Sequence, residues 1–579
     1  MASAAYFAAI VFADDRALGL FERFLYVVGI WKDERLSFVC DFLTIEQQTN
    51  IARIVRRIGC QGDCGRPAAH NNAIALGKGP RKAGGVFIHE LSLPTRRLPS
   101  TTRCIYVCST GQRLTTPKEG RKESPEIRKP VTGGQTSPES LVARGKELRK
   151  KVARSSHAAW SSNPDRPNPI EFLKESSVGR LSNLIPIRYH RMKKSAFTFL
   201  RGFPSMMAYD LGTGTSSTQV IVQSCGDCHL ENFGIFATPE RNVVFDINDF
   251  DETLPAPWEW DVKRLAVSIH VAAKVNELSE KRASRAVRAA VSAYRNKIRA
   301  CSEMTGLEVW YSRVDATDVL EQTQNAELRR ATIPGAAPDD THELIAEQYT
   351  EGNGLGRRIA DKPPKLFHPP PDREVIVDAG EVFELYQRSL RDDLQVLFGP
   401  YQLVDLAIKV VGLGSVGTRC AVALLMASEN DALILQIKEA RPSILEPYAG
   451  ASKYENSGQR VIAGQLLMQV ASDIFLGWCD SADGHHFYVR QLSDMKGSAD
   501  VSIMGSGELS AYAGICGETL AVAHARSGQS ALIGGYLGSS STFDRAIARF
   551  ARSYSDQVRE DYEMFMTRIE DGSLPTEPG

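Results

Sequence analysis

Apolar positions fall into three textures along the chain. From residue 1 to about 137, short apolar fragments alternate with Gly, Arg, Thr and Pro, and helical periodicity is sustained only over about 20–58. Arg113 to Ser140 is polar and rich in Pro and Gly, the composition of a linker. From about 140 the pattern tightens. It predicts a basic helix over 140–154, short strands at 220–222, 235–237 and 243–247, and an Ala/Arg/Val-periodic helix over 279–302. Residues 331–372 are weakly patterned and end near KPPKLFHPPP, whose prolines forbid helix and sheet interiors, so this stretch reads as a linker or surface excursion. An amphipathic helix is predicted over 380–398. A glycine- and strand-rich block follows over about 405–495, with a helix at 457–473, and the tail is helical over 508–571.

Composition narrows the functional classes. The chain has 579 residues, 43% hydrophobic and 24% charged, which is ordinary globular usage for two to four structural units. Lys+Arg and Asp+Glu both number 69, so no global charge speaks for nucleic acid or an anionic membrane as partner. No window reaches the roughly 18 apolar residues of a membrane span. The apolar start is broken by Asp14, Asp15 and Arg16 and lacks a basic leader, so no secretory signal is expected. The 11 cysteines then read as reduced thiols of a cytoplasmic protein. Cys60/Cys64 and Cys104/Cys108 are spaced more loosely than paired structural zinc ligands and read as incidental.

The densest chemistry lies in QVIVQSCGDCHLENFGIFATPERNVVFDINDFDE (219–252). A buried strand at 220–222 runs into a polar loop. Two further strands flank the turn TPERN, and the hairpin exits on Asp246, Asn248, Asp249, Asp251 and Glu252. Phosphoryl transfer needs a carboxylate near the attacking hydroxyl and oxygen ligands for Mg²⁺. Asp227 and Asn232 stand five apart, the Asp-x-x-x-x-Asn spacing of kinase catalytic loops, and the hairpin returns carboxylates toward them. Competing readings of the same residues are c-type haem attachment at Cys225–His229, a zinc site on Cys225, Cys228 and His229, or a solvated acidic turn. Neither haem nor zinc is expected, since no export signal and no second ligand pair is visible.

A second cluster is Gly412-Leu-Gly414-Ser415-Val-Gly417. A dinucleotide (Rossmann) turn of this type leads into a helix and then an acid about 20 residues on, a place Glu429 or Asp431 nearly fills. A kinase glycine loop leads instead into strand, turn and strand ending in Lys. Ser428–Asp431 reads as that turn and ALILQIK as the strand ending at Lys438, which favours the kinase hairpin. Residues 418–427, rich in Ala and Leu, also read as helix.

These residues carry two resemblances. GDCHLEN resembles the GDxHxxN loop of aminoglycoside and choline phosphotransferases, members of the protein-kinase-like superfamily. It implies Asp227 as base with His229 beside it, Asn232 as a metal ligand, Asp246 as the main metal ligand and Asp249 as its rival. WEWDVKRLA resembles the helix that follows the metal loop, with Asp261 as its buried structural carboxylate, and LAVAH (520–524) resembles the end of the helix before the catalytic loop. More broadly, RYHRM, FLRG, CGDCHLENFG, FDINDFDETLPAPWEWDVKRLA, VGLGSVGTRC, LQIKEA, GQRV, SDIFLGW, YVRQLSDMKGS and AHARSG are similar to a bacterial family known as domain of unknown function 2252, over about 140–570. Its name implies no activity. Two positions depart from the family's usual pattern: Gln529 replaces an Asp, and Ala463 replaces the Glu that would pair with the lysine. Glu446, Glu455 and Asp473 are the substitutes. His524 and Arg526 read as site residues or as helix-terminal groups on carbonyls, and Arg188, Arg191 and Arg201 as a phosphate clamp or as ion-pair partners of the carboxylates.

The expectation is an α+β, protein-kinase-like two-lobed fold. It has a mainly helical lobe and a smaller antiparallel-sheet lobe, circularly permuted because the catalytic-loop segment precedes the glycine loop. Residues 1–137 form an extension, 138–400 the helical lobe, 401–500 the sheet lobe, and 501–579 helices completing the helical lobe. The implied function is transfer of phosphate from ATP with Mg²⁺ to a hydroxyl of an unidentified acceptor, with Gly412, Gly414, Ser415, Gly417 and Lys438 on the nucleotide. The alternatives are a nucleotide-binding pseudoenzyme or scaffold and a dinucleotide-binding protein. No nucleic-acid or membrane partner is expected.

Overall fold

The computed structural model describes residues 137–315, 342–352, 354–369, 379–410, 412–492, 497 and 499–578. All fall within one unit, Lys122–Gly579. The readings made for residues 1–136, including those of Cys60/Cys64 and Cys104/Cys108, lie outside the described residues.

In chain order the main elements are α1 (Pro138–Lys151), β1 (Ile221–Ser224), β2 (Phe233–Ala237), β3 (Val243–Ile247), β4 (Leu254–Pro257), α2 (Trp258–Val275) and α3 (Glu280–Cys301). Then come β5 (Leu366–Phe367), α4 (Ala379–Ser389), α5 (Asp392–Phe398), β6 (Gln402–Lys409), β7 (Cys420–Ser428), β8 (Asp431–Ala440) and α6 (Ser457–Met468). Last are β9 (Gly477–Asp480), β10 (His486–Gln491), α7 (Ser506–Ala525), α8 (Ser530–Leu537) and α9 (Thr542–Glu570). Helices combine with antiparallel sheets, so the α+β class expected from the pattern stands. Among the described residues no helix is long and apolar enough to cross a membrane.

α3 places Ala283, Ala286, Val287, Ala290, Val291, Tyr294, Ile298 and Cys301 on one buried face. That face seats on α7. The approach is close enough that a Cβ on Gly517 would lie 2.1 Å from the Ala290 carbonyl oxygen, so only glycine fits there. The tail expected as helix over 508–571 is divided into α7, α8 and α9. The breaks fall at Gly528 and Gly538, with φ of +77° and +62°, a conformation glycine adopts without strain and that ends a helix.

The larger sheet has the order β9-β10-β8-β7-β6-β5 and is antiparallel throughout. β7 and β8 are nearly continuous apolar runs because both faces are covered. Ala421, Ala423, Leu425, Leu433, Leu435 and Ile437 meet Tyr386 of α4 and Phe398 of α5. Val422, Leu424, Met426, Ala432 and Ile434 meet Ala346, Ile359 and Leu366.

Three expectations change here. The helix expected over 380–398 is two helices. The Ser389 hydroxyl donates to the Tyr386 carbonyl and accepts the Trp478 N–H, tying the end of α4 to β9. The stretch 331–372 is more than a surface excursion, since Ala346, Ile359 and Leu366 are core residues of the sheet. The helix expected to reach 473 stops at Met468, where Gln469 turns extended and its amide donates to the Ile247 carbonyl.

Candidate active site

β1 delivers the chain into the loop 225–232, which α2 holds from beneath. The Asp261 carboxylate accepts the N–H groups of Cys225 (2.8 Å) and Gly226 (3.1 Å). Behind it, His524 Nε2 lies 3.2 Å from Asp261 Oδ2, and His524 Nδ1 lies 2.8 Å from the Tyr294 hydroxyl. This is a fully buried chain of polar groups in which each has a partner, which makes the loop rigid. Gly226 has φ +85°, and a Cβ there would lie 2.3 Å from the Glu252 carbonyl oxygen, so the loop and the 251–253 segment are in direct backbone contact.

Three residues after Asp261, on the same helix face, Arg264 donates to Asp227 Oδ1 through Nε (2.9 Å) and Nη2 (2.7 Å). Both bonds use Oδ1. Asp227 Oδ2 keeps its lone pairs, 3.7 Å from His229 Nε2. Burial raises the Asp227 pKa above the usual carboxylate range, and Arg264 partly offsets it. His229 is buried, and desolvation, then the charges of Arg201 and Arg264, keep its imidazole neutral. Arg201 in turn forms an ion pair with Glu231.

Asn232 Nδ2 donates to the Asp227 (3.1 Å) and Asp249 (3.0 Å) carbonyls. That fixes the amide orientation and leaves Oδ1 buried without a partner. Asp249 and Asp251 follow. Crowding is evident at Asp249, whose pKa is raised by burial and then by the Asp251 charge. An orphaned amide oxygen beside a carboxylate under charge crowding fits a hard cation such as Mg²⁺, completed by phosphate oxygens and water. Among the described residues no three His, Cys, Asp or Glu side chains form a cage of their own. Cys225 and Cys228 are free buried thiols whose pKa values burial pushes up.

The glycine segment joins β6 to β7. A strand follows it, not the helix a dinucleotide turn needs, so the helical reading of 418–427 is corrected. Gly412 has open space where a Cβ would be, and Gly414 meets only the Arg201 carbonyl oxygen at 4.0 Å, so the loop backbone is free to approach a ligand. Gly417, at φ +90°, packs against Arg180. β7 turns into β8, and Cys420 pairs with Lys438. Period-2 alternation then puts Ile434, Gln436 and Lys438 on one face, with Tyr488 and Arg490 beside them on β10.

Lys438 is buried. Its Nζ donates to Asp251 Oδ2 (2.9 Å) and Oδ1 (3.1 Å) and lies 3.7 Å from Asp249 Oδ1. Asp251 also accepts the Tyr488 hydroxyl and the Ser415 hydroxyl (2.9 Å). Burial alone would raise the Asp251 pKa, but Lys438 and these hydroxyls outweigh it and hold the carboxyl well below its usual range.

A cavity of about 770 Å³ collects these parts: Asp227, His229, Asn232 and Asp249 from one stretch, Gly412, Gly414, Ser415 and Lys438 from the other. Asp246 is not among its lining residues. Its oxygens accept the N–H groups of Ile247 and Val470, both at 2.8 Å, and Arg526 is its nearest charge partner. Of the two carboxylates weighed as metal ligands, the cavity is thus lined by Asp249 and not by Asp246. Arg526 donates to the Met468 and Ser312 carbonyls, as the blander reading has it, whereas His524 sits between the Tyr294 hydroxyl and the Asp261 carboxylate and not on carbonyls. At position 463 α6 offers no acid, and Asp251 takes the lysine instead. Sequence reasoning missed Asp251 as that partner, and Arg264 as the group orienting Asp227. For Arg264 a signal existed, the i, i+3 spacing from Asp261.

The family described as "Uncharacterized protein conserved in bacteria (DUF2252)" matches residues 180–568. No curated protein and no solved structure matches the chain.

Proposed function

The chain belongs to the DUF2252 family of bacterial proteins, whose description carries no activity, and from that premise we propose that it is a phosphotransferase of protein-kinase-like, circularly permuted fold. The observation that carries the reading is one cavity lined by two segments about 180 residues apart in sequence, with Lys438 Nζ 2.9 Å from Asp251. Mg²⁺-ATP, when bound, supplies the transferable phosphoryl group. The exposed backbone at Gly412 and Gly414 would cover phosphate oxygens, and Lys438 would neutralise them from below. Asn232 Oδ1 and the Asp249 carboxylate hold the metal. Asp227 accepts the acceptor's hydroxyl proton on Oδ2, the oxygen Arg264 leaves open, and its burial makes that oxygen more basic. Neutral His229 borders the same oxygen and lends the acceptor a hydrogen-bonding edge.

A second reading is a nucleotide-binding pseudoenzyme, favoured by Ala463 and by Lys438 already being engaged with Asp251. ATP turnover by the full chain against a panel of hydroxyl compounds tests the first reading. Turnover lost in Asp227→Asn, with Mg²⁺-ATP binding kept, supports it. Binding by the parent chain without turnover supports the second.

A further inference from the structure

The cavity wall beneath the glycine loop holds three guanidiniums that the phosphotransfer reading does not use. Arg180, Arg188 and Arg441 all line the cavity and are all anchored on one short turn. Arg180 Nε donates to the Ser176 carbonyl, Arg188 Nη1 to the Ser177 hydroxyl, and Arg441 Nη2 to the Val178 carbonyl. Their remaining bonds go to Gly414, Val416 and Gly202 carbonyls. Among the described residues, every hydrogen-bond partner of the three is neutral, and none has a carboxylate at ion-pair distance.

Of the acids lining the same cavity, Asp249 lies 3.7 Å from Lys438 Nζ, Glu175 is exposed at the edge of the 176–178 turn, and five more have partners elsewhere. Asp227 faces Arg264, Glu231 faces Arg201, Asp251 faces Lys438, Glu439 faces Arg419, and Glu252 accepts the Ile444 N–H. Three guanidiniums against the exposed Glu175 leave this wall with a net positive charge. Arg188 is decisive: it is 1% exposed, its Nε has no partner, and a buried cation without a counter-charge is costly.

We infer that Arg180, Arg188 and Arg441 form an oxyanion subsite taking a phosphate or carboxylate group. Forked guanidinium donors suit such a group, and three on one turn fix its position. Arginine stays protonated in proteins. Burial, and after it the charge of Arg441, lowers the Arg180 pKa to about 10 against the opposing charges of Glu252, Glu439 and Asp251. The oxyanion has two sources: a phosphate of the nucleotide, or an acidic group on the acceptor. In either case the inference stands without phosphotransfer.

The test is thermal unfolding of the full chain against sodium phosphate at constant ionic strength. The parent chain is expected to show a saturable rise in midpoint. Arg441→Gln and Arg180→Gln are each expected to weaken the apparent phosphate affinity at least about tenfold, while Arg391→Gln, at the exposed N-cap of α5, leaves it unchanged. Arg188 is too deeply packed to serve as the test variant. A non-saturable response, or equal responses in the parent and both wall variants, overturns the inference. Displacement of phosphate by Mg²⁺-nucleotide assigns the subsite to the nucleotide, and simultaneous binding assigns it to the acceptor. Saturable, wall-dependent phosphate binding in a chain that neither binds nor turns over ATP refutes the kinase reading and keeps this one.

Discussion

Removing the Lys438 ammonium, as in Lys438→Met, tests how tightly the two segments of the cleft are coupled. The lysine side chain is 4% exposed and the Asp251 side chain 27%. Lys438→Met deletes two contacts of 2.9 and 3.1 Å and leaves Asp251 with two hydroxyl donors, Tyr488 and Ser415. Stripping one partner from a buried pair costs about 3–5 kcal/mol. The retained hydroxyls and the partial exposure of Asp251 place this case at the low end, about 3 kcal/mol. Asp251→Asn leaves Lys438 with Asp249 at 3.7 Å, so its expected cost is smaller, about 2 kcal/mol. With both changed, no buried charge is stranded, and the double variant is expected to cost less than the sum by about 1.5–3 kcal/mol. The assay is a double-mutant cycle by urea unfolding at pH 7. The Asp251 carboxyl is held below its usual range, so its contribution is present above the unfolded value of about 3.9 and is lost only as pH falls through the lower folded value. The coupling should therefore be undiminished at pH 5. Additivity within about 0.5 kcal/mol would refute the reasoning.

Three further outcomes follow from other parts of the structure. Burial pushes Glu252 up to about 7. Its protonated form is favoured in the fold, so the stability it contributes is full below about pH 4.3 and is lost as pH rises through 7, by up to about 3 kcal/mol. Glu252→Gln should abolish about 2 kcal/mol of the decline between pH 5.5 and 8, read by urea midpoints at the two pH values. Asp227→Asn should lower turnover by a factor of about 10²–10⁴ while leaving Mg²⁺-ATP affinity within about threefold, read by coupled ADP release and calorimetry. In α7, Gly517→Ala drives a Cβ to 2.1 Å from the Ala290 carbonyl oxygen and should cost at least about 1–3 kcal/mol. Gly514→Ala, three residues earlier in open space, should gain about 0.5–1 kcal/mol, and thermal midpoints moving the same way would contradict the packing.

What the sequence made legible was local. The turn at Ser428–Asp431 with an apolar run on either side predicts β7, β8 and the position of Lys438, because strand alternation is a two-residue rule. The Asp227–Asn232 spacing likewise predicts one loop with both side chains near each other. What it left illegible was set by distant partners. Asp246 and Asp249 are equally acidic in sequence. The difference arises because the Val470 N–H, over 200 residues away, captures Asp246 inside the core. Lys438 finds its acid 187 positions upstream, at Asp251, so searching the helix after the lysine could not succeed. The 331–372 stretch looks too polar for a core, yet three of its side chains close one face of the sheet. The break in 380–398 depends on Ser389 reaching β9, a contact absent from helical periodicity.

The central claim is that the glycine loop with Lys438 and the Asp227–Asp249 loop form one Mg²⁺-nucleotide site. Calorimetric titration of the full chain with ATP, with and without Mg²⁺, tests it most directly when repeated on Lys438→Met and Asp249→Asn. The account predicts one saturable site, weakened at least about tenfold by omitting Mg²⁺ or by either substitution. ATP binding indifferent to Mg²⁺ and to both substitutions, or affinity for NAD in its place, would contradict it.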